Sequence, residues 1–181
     1  AGLSGKVAIV GMDDLPEAPD AVFLAVPPVA AIEVTRDLSA RGAGGIVCYT
    51  AGFREAGGDG VAMEADLVAA TGDMALIGPN CYGAINYTSN TALWPFAHGG
   101  GCPYGFGAAI VTQSGMLSSD ITMSQRGLPL THMISCGNQA VKDTLIPLIN
   151  TSSFPLLAVA LSQPLACNQI ITGSRIWRFR V

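Results

Sequence analysis

The sequence predicts an α/β fold built on parallel sheets, and three features of the chain support this prediction. Short apolar segments of strand length alternate with amphipathic segments of roughly ten residues, which is the pattern of successive βαβ units. Apolar residues make up 50% of the 181 residues and charged residues only 12%, so the chain can bury a large core. Glycine, proline and asparagine follow several apolar segments directly, where strands end and turns begin.

The first half of the chain divides into four predicted strands and two predicted helices. Residues 21–26 are a buried strand, because they are continuously apolar and Pro27 stops them. The helix at 30–41 has its apolar residues on one side and ends before Gly42. The remaining predictions are strands at 6–10, 45–49 and 75–77 and a helix at about 61–70.

The second half follows a glycine-rich connection at 99–107 and continues the same alternation. A strand at 108–111 passes through a Gln113-Ser114-Gly115 turn into a helix at 116–126. The pattern then predicts a strand at 131–135, a helix at 141–149 and a strand at 154–161, with no clear periodicity beyond Ser162. We therefore divide the chain into two units, 1–98 and 99–181.

The Gln113-Ser114-Gly115 turn is the first candidate for a ligand site. The first N–H groups of a helix have no partner within the helix and the helix dipole favours negative charge, so such a turn can bind an anion. Ser114 can cap the helix, and Gly115 lets a ligand approach the backbone closely. An ordinary cap with nothing bound explains the same residues. A nucleophile elbow is disfavoured, because Thr112 replaces its first glycine.

Charge, hydropathy and cysteine content argue against several classes of protein. The formal charge is −4, with 9 basic and 13 acidic residues and no basic cluster, so we expect no nucleic-acid partner. The longest uncharged stretch, 144–174, is broken by prolines, and we expect no membrane span. Five cysteines without a C-x-x-C pair and the isolated His98 and His132 predict neither a disulfide framework nor a metal site. Without a recognisable signal peptide, the expected location is cytoplasmic.

Six short segments, taken in order, carry a family resemblance. They are DAVFLAVPP at 20–28, TAGF at 50–53, GPNCYG at 78–83, TQSG at 112–115, RGLP at 126–129 and SCGNQ at 135–139. In order and spacing they resemble the NDP-forming (ADP-forming) acyl-CoA synthetases, relatives of the succinyl-CoA synthetase α-subunit, from about Asp13 to Ile149. The segments ALWP at 92–95 and HGG at 98–100 look like a bacterial branch that activates organic acids, sometimes aromatic ones.

The resemblance implies a fold and a reaction. The fold is a Rossmann-like CoA-binding domain, lacking its N-terminal part, at 1–98, followed by a flavodoxin-like parallel α/β domain at 99–181. In such enzymes ATP phosphorylates a histidine, the phosphate passes to a carboxylic acid, and CoA displaces it to give a thioester. The reaction depends on positioning and charge stabilisation more than on a protein nucleophile.

The resemblance also implies roles for individual residues. Val26, Pro27 and Pro28 would line the CoA site, with Thr50, Ala51 and Gly52 beside it. Asn80 would face the thiol end of CoA, near the acyl phosphate. Gln113, Ser114 and Gly115 would hold the phosphate. None of these residues is predicted to be catalytic. Cys81, which follows the same turn as Asn80, is predicted to be a buried structural thiol.

The chain departs from the family pattern in ways that limit the prediction. The family's glycine-rich opening, its phosphorylated histidine and its ATP-grasp part are not recognisable, and Ser162-Gln163 stand where a carboxylate is expected. The interpretation is therefore a fragment that is incomplete for catalysis. ATP and Mg²⁺ would act only through an ATP-grasp domain or subunit elsewhere. Self-association into a homo-oligomer is expected, because low charge favours exposed apolar surface.

Two alternatives remain open. A non-catalytic CoA- or nucleotide-binding module would share the same loops without the acyl-phosphate step. An oxidoreductase half-domain that binds a nicotinamide cofactor is disfavoured, because the chain has no G-x-G-x-x-G between a strand and a helix. The sequence identifies neither the carboxylic acid nor the nucleotide that is preferred.

Overall fold

The computed structural model describes Met12, residues 15–124, 126–138 and Ala140, and the backbone of three later strands at 156–161, 169–172 and 175–178. The strands are β1 Val22–Leu24, β2 Gly45–Cys48, β3 Ala75–Ile77, β4 Gly83–Asn86, β5 Thr91–Leu93, β6 Gly107–Thr112, β7 Leu130–Ser135, β8 Leu156–Leu161, β9 Gln169–Thr172 and β10 Arg175–Arg178. The helices are α1 Pro28–Ala40, α2 Gly60–Thr71 and α3 Gly115–Met123, with a 3-10 turn at Arg54–Ala56. The predicted strand at 6–10 and helix at 141–149 lie outside the described residues.

The first sheet has three parallel strands in the order β1-β2-β3. Helix α1 follows β1 because Pro28 is suited to the first turn of a helix and Pro27 to the extended residue before it. Ala31, Thr35 and Leu38 recur at helical spacing and form its buried face. Ala31 and Leu38 join the core of the first sheet, which also contains residues of β2, β3 and α2.

The second sheet is mixed, with the order β5-β4-β7-β6-β8. Strand β6 is parallel to β7 and to β8, as the βαβ pattern predicts, and α3 connects β6 to β7. Strand β4 runs antiparallel to both β5 and β7. The α/β class with parallel strands is confirmed. The β4–β5 hairpin adds an antiparallel edge that the sequence did not predict.

The hairpin was missed because its strands are short and its inner neighbour is distant in sequence. Along β4, buried residues alternate with half-buried ones, but the strand has only four residues. The connecting turn is held by the side chain of Asn86, whose Oδ1 accepts hydrogen bonds from the backbone N–H groups of Thr88 at 2.9 Å and Ser89 at 3.2 Å. Asn90 adopts a φ of 54° in the same turn.

The two sheets meet at an apolar junction. Val47 of β2, Ile77 of β3 and Cys81 form a buried cluster against Ala84 of β4 and Leu93 of β5. Strands β4 and β5 precede residue 99 in the chain but hydrogen-bond into the second sheet. The division of the chain at 98 and 99 stays a prediction.

The last described strands are β9 and β10, which pair in antiparallel fashion and form a separate two-stranded sheet. They lie in the part of the chain where the sequence showed no clear periodicity. The sequence led to no prediction for these two segments. Four residues per strand are too few for a period to be recognised.

Candidate functional site

A cleft of about 410 Å³ opens at the carboxyl ends of the first sheet's strands. Three segments line it: 25–28 after β1, 49–51 after β2 and 80–82 after β3. Parallel strands point their carboxyl ends toward the same edge of a sheet, which is where open α/β folds bind ligands. Six residues predicted from the resemblance, Val26, Pro27, Pro28, Thr50, Ala51 and Asn80, are therefore together in one cleft.

Hydrogen bonds join the three loops to one another. The hydroxyl of Thr50 donates to the carbonyl of Val26 at 2.6 Å. The backbone N–H of Asn80 donates to the carbonyl of Thr50 at 2.9 Å. Thr50 thus stands between the first and third loops and connects both, so the cleft has walls that are held at a defined spacing.

Gly52 lies behind the cleft rather than in its wall. Its φ is +102°, and a Cβ there would approach Cγ of Pro28 to 3.0 Å. A side chain would therefore meet the start of α1 while also straining the backbone. The glycine lets the loop after β2 pack directly against the proline that begins α1.

The Gln113-Ser114-Gly115 corner is exposed to half-buried and begins α3. The hydroxyl of Ser114 accepts a hydrogen bond from the N–H of Leu117 at 3.3 Å, so Ser114 is the helix cap that the sequence predicted. The backbone N–H of Ser114 donates to the hydroxyl of Thr112 at 3.2 Å. The corner is not covered by a side-chain core and is accessible to solvent.

The loop after β7 bridges this corner to the Asn80 turn. The N–H of Gly137 donates to the carbonyl of Gln113 at 3.2 Å, and the N–H of Asn138 donates to the carbonyl of Pro79 at 2.9 Å. Gly137 has a φ of +58° and lies so close to the carbonyls of Pro79 and Asn80 that a Cβ would overlap them. The structure therefore brings the two candidate regions together through this loop.

Asn138 is the centre of a polar network that sequence reasoning missed. Its side-chain amide N–H donates to Glu64 Oε2 at 2.9 Å and also to the carboxylate of Glu55, while Asn80 Nδ2 is 3.5 Å from Asn138 Oδ1. Glu64 is only 2% exposed and accepts a 2.6 Å bond from Nε of Arg54. The segment SCGNQ contains Asn138, but no local pattern shows that its partners are two glutamates in the first unit.

The hydrogen bonds of this network lower the pKa of Glu55. Partial burial raises the pKa of its carboxyl, but hydrogen bonds from Asn138 and from the N–H groups of Gly52 and Phe53 outweigh burial and hold that pKa below its ordinary value. The same bonds fix the loop that contains Gly52. The network thus connects the wall of the cleft to the loop after β7.

Tyr82 separates the cleft from the corner. Its ring lines the cleft, and a Cβ on Gly115 would lie 2.7 Å from that ring. The N–H of Tyr82 donates to the hydroxyl of Ser135 at 3.1 Å. Gly115 is therefore required for close packing of the first turn of α3 on Tyr82, in addition to any role toward a ligand.

Cys81 is buried, as predicted. It is 1% exposed, and its Sγ lies 3.3 Å from the carbonyl of Cys48. Burial raises the pKa of the Cys81 thiol strongly, and it raises the pKa of Cys48 to about 11. Both thiols stay protonated at neutral pH, which is unfavourable for a nucleophile.

The two histidines lie away from the cleft. The ring of His98 makes an edge contact with Tyr87 at 5.8 Å, and His132 lies in β7, where burial lowers its pKa. Within the described ranges no group of three or more His, Cys, Asp or Glu residues is arranged to hold a metal ion. Of the helices that the structure describes, none combines the length and the apolar character needed to cross a membrane.

Comparison with known proteins identifies the family of this chain. Over 133 residues the chain is 37% identical to a trans-feruloyl-CoA synthase from an unidentified prokaryote, a match that covers 70% of this chain and 19% of that protein. It is 30% identical over 135 residues to acetate–CoA ligase (ADP-forming) I of Archaeoglobus fulgidus, a match that covers 71% of this chain and 19% of that protein. It is 29% identical over 147 residues to the α-subunit of acetate–CoA ligase (ADP-forming) II of Pyrococcus furiosus, a match that covers 78% of this chain and 31% of that protein. No protein-family model matches the chain.

Solved structures agree with these relatives. PH0766 from Pyrococcus horikoshii superimposes with a TM-score of 0.71 at 25% identity, over 81% of this chain and 35% of that one. The dinucleotide-forming acetyl-coenzyme A synthetase 1 of Ca. Korarchaeum cryptofilum, in its apo form, has the same fold. It superimposes with a TM-score of 0.72 at 22% identity, over 87% of this chain and 34% of that one. The chain spans about a fifth to a third of the length of the curated relatives named above. By sequence and by fold, this chain belongs to the family of ADP-forming acyl-CoA synthetases.

Proposed function

We propose that this chain forms part of an acid–CoA ligase that makes an acyl-CoA from a carboxylic acid, CoA and ATP through phosphohistidine and acyl-phosphate intermediates. The observation that supports this function is the adjacency of the cleft at 25–28, 49–51 and 80–82 to the first turn of α3. The ligase reaction needs a thiol and a phosphorylated acid side by side, and these two features are bridged by Gly137.

The cleft suits a CoA molecule because of its chemistry. None of the side chains that line it is charged, so no carboxylate repels the phosphates of CoA. Helix α1 begins at Pro28 without a side-chain cap, so the N–H groups of Val29 and Ala30 remain available to an oxygen of the ligand. Val26, Pro27 and Pro28 would contact CoA from this side, and Thr50, Ala51 and Asn80 from the other.

The corner suits a phosphoryl group. Ser114 caps α3 with its hydroxyl and Gly115 keeps the first turn accessible, so backbone N–H groups and the dipole of the helix favour an anion there. Gln113 is exposed beside them and would add a side-chain amide. In the proposed reaction, these residues hold the phosphate while the thiol, near Asn80, displaces it from the acyl group.

The remaining parts of the reaction lie outside the described site. His98 and His132 are both away from the cleft, so the phosphohistidine would come from elsewhere, and an ATP-grasp domain or subunit would bind ATP and Mg²⁺. We expect a cytoplasmic protein that self-associates, with no nucleic-acid partner. We predict that the 181-residue chain by itself shows no acid-, ATP- and CoA-dependent thioester formation.

Calorimetric titration of the chain with CoA tests the proposal. We expect saturable binding of CoA and none of NAD at the same concentrations, since the cleft lacks a dinucleotide fingerprint. Binding of NAD without CoA would instead support the oxidoreductase alternative. If CoA binds but the complete gene product forms no thioester from any acid, the non-catalytic CoA-binding module is the better description.

A further inference from the structure

We propose that Asn138 is a positioning residue for the thiol end of CoA. It turns the side-chain amide of Asn80 so that the carbonyl oxygen, and not the NH₂ group, is presented to the ligand. The inference rests on the proposed function and adds to it a residue that does not itself line the cleft. The oxygen of Asn80 would accept a hydrogen bond from a donor at the thiol end of CoA, either the S–H group or the neighbouring amide N–H.

Two glutamates set the orientation of the Asn138 amide. A side-chain amide carries two N–H donors on its nitrogen and an acceptor on its oxygen. The NH₂ group of Asn138 donates to Glu64 Oε2 at 2.9 Å and to the carboxylate of Glu55. An ionised carboxylate only accepts hydrogen bonds, so the reverse orientation would place the oxygen of Asn138 against two carboxylates.

Other donors keep both carboxylates as acceptors toward Asn138. Glu64 is buried and forms an ion pair with Arg54, whose Nε donates to Glu64 Oε1 at 2.6 Å. Glu55 Oε1 accepts from the backbone N–H of Gly52 at 2.5 Å, which leaves Oε2 for Asn138. Each glutamate therefore turns one oxygen to its own unit and the other to the loop after β7.

The orientation then passes from Asn138 to Asn80. Asn138 Oδ1 lies 3.5 Å from Asn80 Nδ2. A hydrogen bond of this length is weak, but the opposite orientation of Asn80 would bring two carbonyl oxygens face to face. The two backbones are anchored, since the N–H of Asn80 donates to Thr50 at 2.9 Å. The N–H of Asn138 donates to Pro79 at the same distance.

The oxygen of Asn80 is the atom that this arrangement leaves for a ligand. Asn80 lines the cleft, and its Oδ1 accepts no hydrogen bond from any residue that the structure describes. Most of the lining is formed by alanine, valine, proline and tyrosine side chains. A single amide oxygen in such a wall fixes how a ligand with a donor group lies against it.

A double-mutant cycle of CoA affinity tests the coupling on the full chain. Asn80→Ala removes the acceptor and should weaken CoA binding about two- to tenfold, the range for one neutral hydrogen bond. Asn138→Ala should weaken it about two- to fivefold, because Asn80 can then turn away from the ligand. In the Asn80→Ala protein, Asn138→Ala should have no further effect. Calorimetry gives the four Kd values, and circular dichroism verifies folding.

Ser135→Ala is the matched control for loss of rigidity. The hydroxyl of Ser135 accepts a hydrogen bond from the N–H of Tyr82 at 3.1 Å, so this change also removes a bond between the second sheet and the cleft. It leaves the Asn80–Asn138 pair in place, and we expect the Kd for CoA to change less than twofold. If Asn138→Ala does not fold, Asn138→Ser replaces it, since its shorter side chain also removes the contact with Asn80.

A CoA analogue without the sulfur atom, desulfo-CoA, distinguishes the two donors. Asn80→Ala should leave its Kd unchanged if the S–H group is the donor, and should weaken its binding as it does that of CoA if the amide N–H is. Additive effects of the changes at Asn80 and Asn138, or equal effects of Asn138→Ala and Ser135→Ala, would overturn the positioning role and leave the proposed function standing. Absence of CoA binding by the unmodified chain would overturn both.

Discussion

Two cavities in the described part of the chain can be compared, and the smaller one is the better candidate for the site. The larger, about 810 Å³, is lined mainly by apolar residues of β2 to β5, including Gly45 and Ala75 at the beginnings of their strands. The smaller, about 410 Å³, lies at the carboxyl ends of the strands and is built from three hydrogen-bonded loops. We expect the ligand in the smaller cavity, because hydrogen bonds anchor its walls and it lies at the strand ends, where open α/β folds bind ligands.

The two cavities also differ in how their neighbours are connected. Around the cleft, Asn138 reaches from the loop after β7 to Glu55 and Glu64, and Gly137 contacts both the Asn80 turn and the corner. In the larger cavity, His132 is half-buried, and its Nδ1 has no partner among the residues that the structure describes. A preorganised ligand site is expected to have neighbouring segments that are joined by contacts of this kind, as the cleft has.

The largest effect is expected from Gly137→Ala, which would disturb the bridge between the Asn80 turn of the smaller cavity and the Gln113-Ser114-Gly115 corner. A Cβ there overlaps the carbonyls of Pro79 and Asn80 in a backbone with φ of +58°. We expect a loss of about 2–5 kcal/mol in the free energy of unfolding, combining overpacking and backbone strain. Chemical denaturation measures it. The control is Gly101→Ala, where a Cβ meets nothing within 4 Å, and a similar loss there would contradict the explanation.

Filling each cavity with an indole ring would sharpen the comparison directly. Ala51 is exposed in the cleft wall and Ala92 is exposed in the wall of the larger cavity. We expect Ala51→Trp to weaken CoA binding by about tenfold or more, because the ring occupies ligand volume, and Ala92→Trp to leave it unchanged. Calorimetry of the two variants decides the matter, and the reverse order of effects would assign the ligand to the larger cavity.

Substitution of Ser114 separates its role as helix cap from its role toward an anion. Ser114→Ala removes the bond to the N–H of Leu117 and should cost about 0.5–2 kcal/mol of stability. Ser114→Asp should restore that stability, because aspartate is a good cap, while its charge should weaken binding of inorganic phosphate. Thermal unfolding with and without phosphate measures both. Equal phosphate stabilisation of the serine and aspartate proteins would argue against an anion site at this corner.

The smallest effect concerns pH and the loop behind the cleft. The pKa of Glu55 is lower in the folded chain than its ordinary value of 4.5, so its contribution to stability is present above that value and is lost as pH falls through the folded-state pKa. Glu55→Gln should therefore flatten the acid limb of the stability profile below about pH 5. Glu33→Gln, an exposed change on α1, is the control. Identical acid limbs for Glu55→Gln and the unmodified chain would contradict the Asn138–Glu55 bond.

Much of the fold followed from local patterns. The strand at 75–77 was predicted with its observed bounds, and the helix predicted at 30–41 is α1 at Pro28–Ala40. The helix predicted at 116–126 ends earlier, at Met123, and its start at the Ser114 cap is as predicted. The start of α3 was the better defined end of that helix, because the capping Ser114 marks it in the sequence.

The candidate site was predictable in its parts and not in its assembly. The family resemblance assigned Val26, Pro27, Pro28, Thr50, Ala51 and Asn80 to one CoA site, and these six residues line one cleft. Asn138, Glu55 and Glu64 were not assigned a role, because an amide and two carboxylates separated by 83 and 74 positions have no common local pattern. The CoA-binding roles predicted from the resemblance for Val26, Pro27, Pro28, Thr50, Ala51, Gly52 and Asn80, like the phosphate-binding roles of Gln113, Ser114 and Gly115, stay predictions.

The sequence by itself determined the elements whose cause is local: apolar strands, the prolines that begin α1, the Ser114 cap and the glycines that permit positive φ. Only the tertiary structure decided which elements became neighbours, including the antiparallel β4–β5 hairpin beside β7, the network around Asn138 and the packing of Tyr82 on Gly115. The physical reason is the distance along the chain over which each kind of interaction acts. Backbone propensities and caps act over a few residues, whereas strand pairing and buried hydrogen bonds join residues that only the folded chain brings within reach of one another.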